Sequence, residues 1–151
     1  MQHKFPHGNI DQSALERKND YLYRISLKSL IRNEEGNVLV VKESGRTWWD
    51  LPGGGMDHGE DIKSAISREL HEEVGLEGDF KFRVIDADDP VYLEHANVLQ
   101  VRLIFEVTPD MLPTSPGIEA DEISYINPSV LKDSTNPAEA NIYEYARKST
   151  L

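Results

Sequence analysis

The segment from Gly53 to Leu76 constrains this chain more than any other. It opens on three consecutive glycines, Gly53, Gly54 and Gly55, and closes on Gly75 and Leu76. Between them, Ile62, Ile66, Leu70 and Val74 recur every four residues, with Ala65 beside them. That period lays one apolar stripe along a helix over 61–74, and Gly75 supplies its C-terminal stop. The chain must therefore bury one side of this helix against another layer. Directly before it comes a glycine loop that can approach a ligand closely, because it has no side chains.

The other side of the same helix carries Glu69, Glu72 and Glu73 at i, i+3 and i+4, which places them on one face. Like charges at that spacing cost a few tenths of a kcal/mol, so a purely structural helix gains nothing from them. A hard divalent cation that prefers oxygen, such as Mg²⁺, would reverse the sign of the interaction. Arg68 lies four residues before Glu72 and eight after Glu60. Its planar fork can bond a carboxylate and fix that carboxylate's direction. From Asp57 to Glu73 there are six acidic residues and two basic ones, Lys63 and Arg68. An acidic helix face alone is usually a solvated surface. The glycine run and the spacing argue for a metal-binding face instead.

The remainder reads as mixed α/β. A strand over 22–32 and a return strand over 38–41 flank the turn Asn33–Gly36 and read as a β-hairpin. Trp48–Leu51 is a short strand halted by Pro52. Further strands follow over 80–87, 97–108 and 123–126. Asp89–Tyr92 is a turn entering a strand. Asn127-Pro128 starts a helical turn, and Asn136-Pro137 starts a C-terminal helix with Ile142 and Tyr145 inward. The expected architecture is a mixed sheet with helices on its faces. At 151 residues, the chain is the size of one domain, read as 21–151. Residues 1–20 read as a flexible lead-in with a helical turn at Gln12–Arg17.

Charge narrows the partners. With 27 acidic against 16 basic residues, net −11, and no basic cluster, the sequence argues against nucleic acid. Wherever it handles phosphate, it needs cations. The absence of cysteine excludes disulfides, thiolate metal sites and a cysteine nucleophile. No run approaches the roughly 20 apolar residues of a membrane span, and the polar N-terminus lacks the apolar core of a signal peptide. The expectation is no membrane partner and a cytoplasmic address.

Gly54, Glu60, Arg68, Glu69, Leu70, Glu72, Glu73, Gly75 and Leu76 stand in the order and spacing of the Nudix box. The chain resembles the Nudix hydrolases on these residues, with Trp49-Asp50-Leu51-Pro52-Gly53 as a matching lead-in and a resemblance that extends over 21–148. The resemblance implies an α/β/α sandwich with a mixed β-sheet. It implies hydrolysis, with Mg²⁺ or substituting Mn²⁺, of a pyrophosphate bond in a small nucleotide-like substrate. That substrate class is a nucleoside diphosphate linked to another moiety: a nucleoside triphosphate, a dinucleoside polyphosphate or a nucleotide sugar. It further implies that Glu72 and Glu73 are metal ligands and that Glu69 is a metal ligand and the general base. The Gly53 carbonyl would complete the ligand set, and Glu60 and Arg68 would orient it. A homodimer is common among such proteins.

Some relatives add a distal carboxylate after the long strand; Glu119 is the candidate and Glu122 its rival, against a solvated acidic loop. Asp57 stands where the family commonly has Glu. His58 and His71 flank the box, with His71 turned away from Glu69 and Glu73 by helical spacing. Of Trp48 and Trp49, the second is read as packed and the first as free to stack on a base. Tyr92 and Pro90 lie 16 and 14 residues beyond Leu76, close to the spacings that mark two subfamilies but insufficient to assign either. The rival to an enzyme is a binding module that senses a nucleotide metabolite. Such modules typically lose a box carboxylate, and this chain keeps all of them.

Overall fold

The computed structural model describes residues 2–5, 8–11 and 22–149. The helical turn expected at Gln12–Arg17 lies outside them. Near the N-terminus, β1 (Gln2–Phe5) pairs antiparallel with β2 (Gly8–Asp11).

The main sheet is mixed. β3 (Tyr23–Leu30) runs parallel to the long β8 (Val98–Pro109), β6 (Phe80–Ala87) and β7 (Val91–Leu93) pair antiparallel with β8, and β5 (Gly53–Gly55) closes the other edge against β3. A second ribbon joins β4 (Val38–Glu43) to β9 (Ala120–Ile126), antiparallel. Helix α1 (Ile62–Val74) packs on one side and α2 (Pro137–Lys148), preceded by a 3-10 turn (Pro128–Leu131), on the other. Among the described residues, no helix is long and apolar enough to cross a membrane.

Alternation along the strands divides the interior in two. Leu27, Leu39 and Phe105 face α1, where Ala65, Ile66, Leu70 and Val74 complete one cluster. Leu30, Val38, Val40 and Ile104 face α2, where Ile142, Tyr145 and Ala146 complete the other. Ile142 and Tyr145 point inward as the sequence indicates.

Four expectations are corrected. β3 and β4 are not a hairpin: the chain turns a corner at Asn33–Gly36, keeps the Arg32↔Val38 bridge, and β4 leaves to pair with β9. Trp48–Leu51 is not a strand but contributes the isolated bridge Val41↔Asp50. The glycine run is a strand rather than a loop, with Gly53 opposite Lys28 and Gly55 opposite Ser26. Ile62 lies 39% exposed, so the core-facing stripe of α1 starts at Ala65. Asp61 explains this: it caps the helix by accepting the Ser64 N–H, which leaves Ile62 in the open first turn.

Candidate active site

α1 delivers its carboxylates to the sheet edge at β5. The glycines are what allow the approach. A Cβ on Gly54 would lie 2.8 Å from Glu69 Oε1, so Glu69 occupies the space that a side chain would take. One residue earlier, the Gly53 N–H donates to Glu73 Oε2 at 2.8 Å. Glu69 and Glu73 are buried, which overturns the picture of a solvated acidic face. Burial pushes the Glu73 carboxyl up to about 8, opposed by the nearby Lys28 ammonium and the Gly53 N–H. Burial likewise raises Glu69, opposed by Arg68.

Arg68 ties the group together. Its Nε and Nη2 fork onto Glu60 at 2.8 and 2.9 Å, and Nη2 also reaches the Gly55 carbonyl at 3.0 Å. Its Nη1 donates to Glu69 at 2.8 Å and to Glu72 at 3.4 Å. Glu60, the chief cause of the raised Arg68 pKa, also accepts the Asp57 N–H at 2.7 Å. The glycine strand, the loop after it and the helix are thus joined through one guanidinium.

These groups open onto a cleft of about 460 Å³ lined by Gly53, Arg68, Glu69, Glu72 and Glu73. Glu119 lines it as well, whereas Glu122 points to Lys42 at 3.2 Å. Glu60 stands behind Arg68. His58 and His71 are exposed and outside the cleft lining, with His71 Nδ1 3.4 Å from the Leu76 carbonyl. Trp49 packs against the α2 cluster under Lys42, and Trp48 lies near Arg46; neither lines the cleft. Among the described residues, no three acidic or histidine side chains converge as a preformed metal cage. Arg68 stands between Glu69 and Glu72 as the balancing cation.

Glu119 reaches the cleft because its loop is bolted to α1. The Gly117 N–H donates to the Glu73 carbonyl at 2.8 Å and the Glu119 N–H to the Glu72 carbonyl at 2.9 Å, satisfying carbonyls that a helix end leaves open. A Cβ on Gly117 would fall 2.3 Å from the Glu72 carbonyl oxygen. Gly117→Ala should therefore lower stability by about 1–3 kcal/mol, measured by urea melts, and lower activity beyond what the folded fraction explains.

Lys28 is the residue that pattern reading missed. It is 5% exposed. Its Nζ bonds Asp50 at 3.1 Å, the Leu51 carbonyl at 3.1 Å and the Gly53 carbonyl at 3.4 Å. A lysine inside the otherwise buried run Leu27–Leu30 was the available signal. Lys28→Met should cost about 2–3 kcal/mol, because it strands Asp50 and two carbonyls. Chemical denaturation would measure the loss, and Lys28→Arg should restore only part of it.

The NUDIX domain model matches residues 22–146, and the chain belongs to the Nudix family. An RNA pyrophosphohydrolase of Actinobacillus pleuropneumoniae serotype 5b (strain L20) is 46% identical over 54 residues, 36% of this chain and 26% of that protein. The match thus spans about a quarter of that relative's length. Two solved structures share the fold. A MutT protein from Methanosarcina mazei Go1 has TM-score 0.63 at 24% identity, covering 91% of this chain and 100% of that one. A NUDIX hydrolase from Nitrosomonas europaea has TM-score 0.64 at 16% identity, covering 83% and 89%.

Proposed function

We propose that this chain is a divalent-cation-dependent hydrolase of a pyrophosphate bond in a small nucleotide-like substrate. One observation carries the reading: two buried carboxylates, Glu73 at Gly53 and Glu69 at Gly54, meet the glycine strand at a cleft where Arg68, locked on Glu60, is their neighbour. The donor set fits a hard cation. It offers carboxylate oxygens and the Gly53 carbonyl, and burial makes bare charge on Glu69 and Glu73 costly. Glu69, Glu72, Glu73 and the Gly53 carbonyl would hold Mg²⁺ or Mn²⁺, which when bound neutralises phosphate oxygens and lowers the pKa of an attacking water.

The chain's own groups do the rest. The Gly53 N–H fixes one oxygen of Glu73. The Glu60–Arg68 fork fixes Arg68, which in turn sets the rotamers of Glu69 and Glu72. Glu69, its proton affinity lifted by burial, is the candidate to accept the water's proton. Glu119, on the loop bonded to the C-terminal end of α1, brings a further carboxylate.

The test is a panel of nucleoside triphosphates, dinucleoside polyphosphates and nucleotide sugars with Mg²⁺ and with Mn²⁺, run in ¹⁸O-labelled water to locate the attacked phosphorus. Glu69→Gln should lose about 10²–10⁴-fold in kcat on the best substrate while melting as a folded protein. Unchanged turnover in that variant would sink the mechanism. Binding across the panel without turnover would favour the sensor reading.

A further inference from the structure

The cleft floor carries positive charge that the box carboxylates do not use. β3 and β8 run in parallel register, with Ser26 opposite Arg102 and Arg24 opposite Gln100. Alternation puts these four side chains on one face of the sheet, and all four line the cleft. Other cations of the cleft are already bound: Lys28 to Asp50 at 3.1 Å, Arg46 to Glu43 at 2.8 Å and Arg68 to Glu60 at 2.8 Å. Arg24 has no hydrogen-bond or ion-pair partner among the described residues. Its guanidinium lies over Gly55, where a Cβ would come within 2.8 Å of both Nε and Nη2. Arg102 is ion-paired with Asp88 at 3.6 Å and bonds Tyr145, while its buried Nε has no hydrogen-bond partner among the described residues.

The lining also lacks something. Among the described residues, the cleft holds no Phe, Tyr or Trp side chain; His95 is its one aromatic ring and Leu93 its one large apolar side chain. A nucleobase is usually held by stacking on an aromatic ring, and the His95 imidazole is the single ring offered among the described residues. Guanidinium forks bind phosphate oxygens.

Position separates Arg102 from the bond being cut, with the Arg24 guanidinium over Gly55 on the near side. The carboxylates of α1 meet β5 at Gly53 and Gly54. Arg102 is two strands in from Gly55, through Ser26, which at ordinary strand spacing is about 10 Å between backbones. A phosphate pair held at Gly53 does not extend that far, whereas a phosphate attached beyond the pair does.

We propose that Arg24 and Arg102 form a subsite for an additional phosphate, so that the chain takes pyrophosphate compounds bearing at least one phosphate beyond the scissile pair and does not select among bases. The proposal rests on the pyrophosphohydrolase reading, but its test does not require turnover. Inorganic tripolyphosphate and pyrophosphate, titrated calorimetrically into the protein with Mg²⁺, differ by the one phosphate in question. Wild type should bind tripolyphosphate at least about tenfold more tightly. The four common nucleoside triphosphates should bind within about threefold of one another, since no base contact discriminates them.

Arg24→Gln should bring the tripolyphosphate-to-pyrophosphate ratio to near one while leaving pyrophosphate affinity unchanged. Arg24→Lys should fall between, and Arg102→Gln, checked for folding by its melt, should act as Arg24→Gln does. A ratio that survives in both Gln variants overturns the subsite. So does equal weakening of both probes, which would mean diffuse charge, and so does a strong preference for one base. If wild type hydrolyses nothing on the panel yet shows the Arg24-dependent ratio, the activity reading fails while the subsite stands.

Discussion

In the absence of divalent cations, Glu73→Gln should melt at a higher temperature than the parent at pH 8, and adding Mg²⁺ should reverse the order. The sign follows from where the proton sits. The Glu73 carboxyl has an ordinary value of 4.5 in the unfolded chain and about 8 when folded, so the folded state binds the proton more tightly. The stability linked to that proton is complete below pH 4.5 and is lost as the pH rises through 8. Glutamine carries no charge to bury, and its amide oxygen can still accept the Gly53 N–H. It escapes the loss but cannot neutralise a cation. Melts with chelator and with Mg²⁺, at pH 5 and pH 8, measure all four states. A parent that is stabilised, rather than destabilised, between pH 5 and pH 8 with chelator present would contradict the burial argument. Activity should fall by about 10²-fold or more with the lost ligand.

Gly53→Ala should be the most damaging glycine-to-alanine change among the described glycines. Gly53 sits at φ +141°, and a Cβ there would fall 1.9 Å from the Leu27 carbonyl oxygen and 2.9 Å from Lys28 Cα. Both contacts are backbone in a buried strand, so no side chain can swing aside. Strain of about 1–3 kcal/mol adds to an overpacking cost of about 1–3 kcal/mol, and β5 must detach from β3 to relieve them. Loss of the Gly53–Glu73 bond and of the Lys28 contact would follow. The expected result is little soluble protein, and in what survives, no cation-induced rise in melting temperature. A well-folded Gly53→Ala that responds normally to Mg²⁺ would show that the strand can shift without cost. Gly36→Ala is the control: it shares a positive φ, +82°, but has nothing within 4 Å.

What was legible in the sequence was what repeats locally. α1 announces itself by period and by its glycine stop, and Gly75 does adopt the left-handed conformation, φ +64°. β6 and β8 alternate and were placed to within a residue. The pairings were not legible. Val38 faces Ile126 across 88 residues, and nothing near Val38 records this, so β4 was taken for the return arm of a hairpin. The glycine strand was missed for a different reason: residues without side chains have no pattern to read, and their pairing with Ser26–Lys28 is set by α1 pressing from beyond. The candidate site divides in the same way. Spacing put Glu60, Arg68, Glu69, Glu72 and Glu73 together, because helix geometry is local. Arg24, Lys28 and Arg102 drew no notice, since a charged side chain that points into a cleft reads no differently from one that points into water.

The bolting of Gly117 and Glu119 onto the carbonyls of Glu73 and Glu72 divides the β8–β9 connection into two parts with different tolerances for change. The outer part, around the exposed Met111 and Leu112, can be lengthened or exchanged with loops from other members of the fold, because no bond from it reaches α1. From Pro113, whose carbonyl accepts the Tyr125 hydroxyl at 2.7 Å, to Ala120, an insertion of even one residue would slide Glu119 off the helix end. A loop library meant to redirect this chain to other substrates should therefore be confined to residues 110–112 and keep Gly117 fixed.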